Sequence, residues 1–170
     1  MSEIREIFER ITERFEVPVR VGSRCEANVF YRVDALEEEE VQQLARYVAE
    51  RIDKVCNPAA PEILVNLPGG FTSLAAFLSE ELAAGGEKLP VINYNELNPY
   101  NGHSSMLKNA NVVLVNDVIT TARSCLEAHT KVTMMGASVL CWGALIDRTF
   151  GPGPVPVVAC ITGEPVRLLE

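Results

Sequence analysis

The side chains best suited to chemistry crowd into Asn116-Asp117-Val118-Ile119-Thr120-Thr121-Ala122-Arg123-Ser124. An amide and a carboxylate stand side by side. The hydroxyls of Thr120, Thr121 and Ser124 follow, with one guanidinium, Arg123, among them. A hydroxyl-rich turn that opens a helix is a ready anion site, because its backbone N–H groups and the helix dipole converge on one point. Two other places carry compatible groups. Asn66-Leu67-Pro68-Gly69-Gly70 is a glycine turn whose N–H groups are able to face a phosphate, although Pro-Gly-Gly is also simply a turn. Asp147-Arg148 offers a planar guanidinium fork, which suits a carboxylate or a pair of carbonyls, or alternatively an ordinary surface ion pair.

The elements that must position these groups are legible from periodicity. Val112 to Val115 is a continuous apolar run, as expected of a strand buried on both faces. It emerges at Asn116 and Asp117. A helical pattern resumes at Cys125, with Leu126, His129, Val132 and Met135 at three-to-four spacing, and Gly136 closes it. Ile63 to Val65 is a strand leading into the glycine turn; a helix over 71–84 follows, with Gly85-Gly86 as its stop. Val139 to Ile146, containing Trp142, is a strand that delivers Asp147-Arg148. A Pro- and Gly-rich loop, Thr149 to Val155, precedes a last strand. Strands predicted at 63–66, 91–94, 111–116, 139–146 and 157–161 alternate with helices, which gives an α/β fold with a mostly parallel central sheet flanked by helices. Ligands in such folds bind outside the carboxyl ends of the strands, and all three candidate loops fall there.

Toward the N-terminus, Ile4, Ile7, Phe8, Ile11 and Phe15 predict an amphipathic helix, with Ser2 as its cap and Pro18 as its end. Val19 to Val33 reads as a short β element with a turn at Gly22-Ser23. Glu37 to Glu40 places four carboxylates at the positive end of a helix, whose buried face is Val41, Leu44, Ala45, Val48, Ile52 and Val55. Asn57 to Pro61 is a rigid connection. Asn93 to Lys108 reads as a long mobile loop, with Lys108 at the start of the next strand; loops of that length in a compact domain are usually functional or disordered.

Composition bounds the function. The 170 residues suit a single domain, 1–170, with a real core. Fifteen basic against 23 acidic residues give a net charge of −8, which argues against a nucleic-acid-binding surface. No apolar stretch reaches the roughly 20 residues that span a bilayer, and no signal peptide is recognisable. The five scattered cysteines read as reduced, buried thiols of a cytoplasmic protein.

The Asn111–Ala128 stretch closely resembles the ribose-phosphate-binding motif of type I phosphoribosyltransferases, and its Asp-Val-Ile-Thr-Thr wording is most similar to the orotate phosphoribosyltransferases. The resemblance implies that Asn116 and Asp117, the latter in a catalytic position, hold the ribose hydroxyls of phosphoribosyl pyrophosphate. It implies that Thr120, Thr121, Ala122, Arg123 and Ser124 wrap the 5′-phosphate, and that Gly69 and Gly70 line the pyrophosphate. Arg148, with Phe30 and Tyr31 of a small N-terminal hood over about residues 17–35, would meet the base. Arg20 would stand where the family often has Lys. The reaction implied is transfer of ribose 5-phosphate to a nucleobase, with Mg²⁺ carried by the pyrophosphate and no direct metal ligand on the protein. A homodimer acting on small molecules, with no nucleic acid and no membrane, is the implied setting. Three departures stand out: Asn116 replaces an acidic residue, Ala122 replaces a glycine, and 93–107 carries no Lys or Arg where the family has a cationic catalytic loop. His103 falls near that loop's His position, and a solvent-exposed loop histidine is the simpler reading. A nucleotide-binding protein without catalysis, a sensor or partner subunit, is therefore the alternative. An RNA-binding regulator on the same scaffold is a weaker third, against which the net acidity counts.

Overall fold

The computed structural model describes residues 2–22, 24–70, 72–83, 86–149 and 151–169. Five parallel strands form the central sheet in the order β4-β3-β5-β6-β7: β3 is Ile63–Asn66, β4 Val91–Asn93, β5 Asn111–Ile119, β6 Ser138–Asp147 and β7 Val157–Thr162. The chain moves outward from β3 to β4, then returns to place β5 on the other side of β3. The crevice between the carboxyl ends of β3 and β5 is thus the reversal point where open α/β sheets bind ligands.

β5 is buried on both faces, as its unbroken apolar run requires. Val113 and Val115 face a core shared with α2 (Glu38–Cys56) and α3 (Leu74–Glu81), whereas Val112 and Leu114 face one shared with α5 (Arg123–Met134). All four side chains are at most 1% exposed, and each such burial is worth about 1.5–3 kcal/mol. β5 does not stop at Asn116. It pairs with β6 through Val118↔Ile146 and Ile119↔Asp147, while its pairing with β3 ends at Asn66↔Val115. The β3 side is therefore open over the last four residues of β5, so Asp117 lies in the crevice although it is still within a strand. α5 begins at Arg123, two residues earlier than its apolar pattern suggests, and Gly136, at φ +90°, closes it with its N–H donated to Thr133.

The N-terminal expectation needs correction. The first helix, α1, covers only Ser2–Arg10; Thr12–Gly22 is a strand, β1, which contains Phe15 and Pro18. β1 pairs antiparallel with β2 (Cys25–Tyr31), and a register shift between Arg14 and Val19 admits the proline, which has no N–H to donate to a ladder. Ser23 and the side chains of Ser2 and Gly22 lie outside the described residues, as do the helix ends at Phe71 and Ala84 and the first half of the Gly85-Gly86 stop. A short strand near the C-terminus, β8 (Arg167–Leu168), joins β2 to complete a three-stranded hood, an addition that two exposed residues do not announce.

Glu37 precedes α2 and its N–H is accepted by the Glu40 carboxylate at 2.9 Å, so the acidic run caps the helix. On the buried face of α2, Ala49 and Cys56 take part while Val55 is exposed. The expected mobile loop after β4 is folded: a 3-10 turn at Tyr94–Glu96 and a short helix, α4 (His103–Leu107), bury Leu97 and Leu107, and Lys108 lies between α4 and β5. All five cysteines are free and buried. No helix among the described residues is long and apolar enough to cross a membrane.

Candidate functional site

The site is built where β5 outruns β3. Asp117 is 3% exposed, and burying a carboxylate is costly unless donors meet it. Thr72 supplies two: its N–H lies 2.9 Å from Oδ2 of Asp117 and its hydroxyl 2.6 Å from Oδ1. The glycine turn before Thr72 arches over the same carboxylate. Gly69 has φ +91°, which only glycine adopts at little cost, and a Cβ on Gly70 would sit 3.7 Å from Oδ1 of Asp117. Asn116 is turned back on its own chain, its Oδ1 accepting the Asp117 N–H at 2.9 Å.

Beyond β5, residues Thr120 to Ser124 form the expected turn around a hollow of about 40 Å³. Ala122 has φ +58° and ψ 0°, the left-handed conformation that an alanine adopts at a cost of about 1–2 kcal/mol. Its carbonyl accepts the Leu126 N–H at 2.8 Å, and the N–H groups of Arg123, Ser124 and Cys125, residues that line the hollow, have no partner within the helix. Arg123 does not plug it. The guanidinium reaches along the helix to Glu127 at 2.9 Å, an exposed pair.

Arg148 is the group most altered by folding. It is 2% exposed, not a surface ion-pair partner, and Asp147 is occupied elsewhere, accepting the N–H and hydroxyl of Thr149 at 2.8 and 2.7 Å. The Arg148 Nε donates to the Glu164 carbonyl at 2.5 Å, and the guanidinium lies 5.2 Å from the centre of the Tyr31 ring. Nη2 is buried and finds no partner among the described residues. Burial pushes the pKa of the guanidinium down. Arg148 opens into a cavity of about 200 Å³ whose wall includes Phe30, Tyr31, Gly69, Asp117 and Thr120. Residues from the hood, the glycine turn, the end of β5 and the end of β6 therefore meet in one place. Arg20 is exposed and is not part of that wall.

Gly163, which no local sequence pattern singles out, makes this packing possible. A Cβ there would stand 2.8 Å from Cγ2 of Ile146, and 3.0 Å from both Cγ of Arg148 and the Tyr31 hydroxyl. The Tyr31 hydroxyl is fixed by the neighbouring Glu164 N–H at 3.1 Å.

The segment after β4 holds itself together instead of offering donors to the crevice. Nδ1 of His103 lies 3.0 Å from the Glu96 carbonyl and 3.1 Å from Nδ2 of Asn101, and Lys131 of α5 covers the Tyr94 ring at 4.8 Å. His103 is the first residue of α4 and is partly buried. No group of three potential metal ligands occurs among the described residues. A larger cleft of about 600 Å³ lies between α1, Tyr47 and the end of β7; its rim arginines Arg5 and Arg14 pair with Glu9 and Glu164.

No protein-family model matches the chain, and no curated protein matches it. Solved structures do. Orotate phosphoribosyltransferase from Aeropyrum pernix superposes with a TM-score of 0.67 at 18% identity, over 92% of this chain and 92% of that one. Orotate phosphoribosyltransferase from Francisella tularensis gives 0.62 at 18% identity, over 93% and 83%. Hypoxanthine phosphoribosyltransferase from Trypanosoma cruzi, in complex with the product IMP, gives 0.51 at 21% identity, over 72% of each chain. The chain has the type I phosphoribosyltransferase fold.

Proposed function

We propose that the chain is a phosphoribosyltransferase of orotate type, which transfers ribose 5-phosphate from phosphoribosyl pyrophosphate to a pyrimidine base. One observation carries this reading: Arg148, whose buried Nη2 is unpartnered, stands in the wall of a cavity that also holds Asp117 and Thr120. A buried cation with a spare donor calls for an acceptor on the ligand. A base bearing a carboxylate or carbonyl supplies it, with Tyr31 as a stacking wall. At about 200 Å³ the cavity falls below the roughly 300–1,000 Å³ of ordinary ligand pockets, which favours a single-ring base with its phosphate in the adjoining hollow at 120–124.

In the reaction a base nitrogen bonds to C1 of the ribose as the C1–O bond to pyrophosphate breaks. The nitrogen's proton leaves to solvent and pyrophosphate carries off the electron pair. The protein's part is positioning: the α5 N-terminus fixes the phosphate, Arg148 fixes the base, and Asp117 lies where cationic character develops on the sugar. Mg²⁺ would arrive with the pyrophosphate and take its ligands from it. A cytoplasmic homodimer belongs to the same reading; light scattering of the purified chain tests the dimer.

The deciding assay is pyrophosphate release from phosphoribosyl pyrophosphate with Mg²⁺ and a panel of bases. Release with orotate supports the proposal, and release with purines alone overturns the orotate assignment. The absence of Lys and Arg from 93–107 favours a second reading, a nucleotide-binding protein without turnover. It is established if uridine monophosphate binds calorimetrically while no base releases pyrophosphate.

A further inference from the structure

Among the described residues Asp117 is the one carboxylate in the wall of the cavity, yet the structure shows it already engaged. Thr72 reaches it from 45 residues earlier, with its N–H on one oxygen and its hydroxyl on the other, at 2.9 and 2.6 Å. Thr72 also caps the turn into α3, its hydroxyl oxygen accepting the Leu74 N–H at 3.2 Å. A single hydroxyl therefore ties the glycine turn, the start of α3 and the carboxylate together. A sugar diol approaching Asp117 meets an oxygen that already accepts a short hydrogen bond.

We propose that Thr72 is a positioning residue that latches the 67–72 turn onto Asp117, and that a ligand's ribose diol binds by displacing the Thr72 hydroxyl. The inference rests on the reading of the crevice as a ribose-phosphate site. Exchange of one hydroxyl for another on the same carboxylate is nearly balanced, so the latch sets selectivity: only a ligand that returns a hydroxyl to Asp117 recovers what it breaks. A ligand without the diol leaves the latch closed. The same exchange removes one of the ties on the turn that carries Gly69 and Gly70, the Thr72 N–H remaining on the other oxygen, and so links occupancy of the sugar position to the backbone N–H groups beside it.

The test is calorimetric binding of uridine 5′-monophosphate and its 2′,3′-dideoxy analogue to wild-type protein, Thr72→Val and Thr72→Ser. Valine keeps the side chain's shape and the backbone N–H bond while removing the hydroxyl. The latch predicts that Thr72→Val binds uridine monophosphate about tenfold more tightly, the equivalent of one hydrogen bond no longer broken. The dideoxy analogue should change less than twofold, and Thr72→Ser should behave as wild type. Hydrogen exchange at residues 67–70 should rise in Thr72→Val and, in wild type, on uridine monophosphate binding. Equal affinities in all three proteins, or a loss in Thr72→Val for both ligands, overturn the latch and leave the site reading standing. If wild type binds neither nucleotide, the site reading fails and takes the latch with it. An unfolded Thr72→Val is resolved by wild-type exchange alone: unchanged protection at 67–70 on nucleotide binding overturns the proposal.

Discussion

The turn after β5 and the segment after β4 leave the sheet at the same edge, yet they are furnished in opposite ways. After β5 come a left-handed backbone step, a helix N-terminus and three hydroxylated residues around a hollow, with the buried guanidinium of Arg148 alongside at the end of β6. After β4 the polar groups satisfy one another: His103 with Glu96 and Asn101, and Asn93 with Glu96 at 3.2 Å. The first region keeps unsatisfied donors available for a ligand; the second spends its donors on its own shape.

The most forceful way to break that contrast is Arg148→Met. Nucleotide affinity should fall about a hundredfold, on the order of 3 kcal/mol for a lost charged hydrogen bond, as read by calorimetry. The melting temperature should hold or rise, because a buried guanidinium with an unpaired Nη2 is removed. A large fall in both would make Arg148 architectural. Gly163→Ala should come next. Forcing a methyl against Ile146, Arg148 and Tyr31 costs about 1–3 kcal/mol, a drop of roughly 2–4 °C for each kcal/mol in a chain of this length, with weaker nucleotide binding. Ala122→Gly sharpens the other side. Relief of the left-handed strain, less the entropy glycine adds to the unfolded chain, should stabilise by about 0.5–1 kcal/mol in urea melts and tighten inorganic phosphate binding by a few-fold. The smallest effect is assigned to His103→Ala: nucleotide affinity within twofold of wild type, with hydrogen exchange increased only over 94–103. A tenfold loss of affinity there would show that the segment after β4 serves the ligand after all.

Much of the candidate site was legible because it is local. The apolar run of β5, the hydroxyl-rich turn and the helix after it are adjacent in sequence, and Arg148 follows directly on a strand that periodicity places. Phe30 and Tyr31 were reachable through resemblance alone, since their meeting with Arg148 depends on how the hood folds over the sheet. Thr72 and Gly163 were not reachable. Each matters through partners distant in sequence, Asp117 in one case and Tyr31 in the other, and neither has a local pattern to betray it. The N-terminus misled for a different reason: Ile11 and Phe15 continue a helical spacing, but pairing of β1 with β2 overrides it after Arg10. The segment at 93–108 looked structureless because its order comes from side-chain-to-backbone bonds and two buried leucines, which leave little periodicity.

Gly163 has a consequence for descent as well as for packing. Three side chains from two separate stretches converge on the empty place where its Cβ would be. A lineage could fill that place only after one of the three had shrunk or moved. Chains of this kind that carry a larger residue there should therefore also carry a smaller or displaced side chain in place of the isoleucine, the arginine or the tyrosine, whatever else of the scaffold they retain.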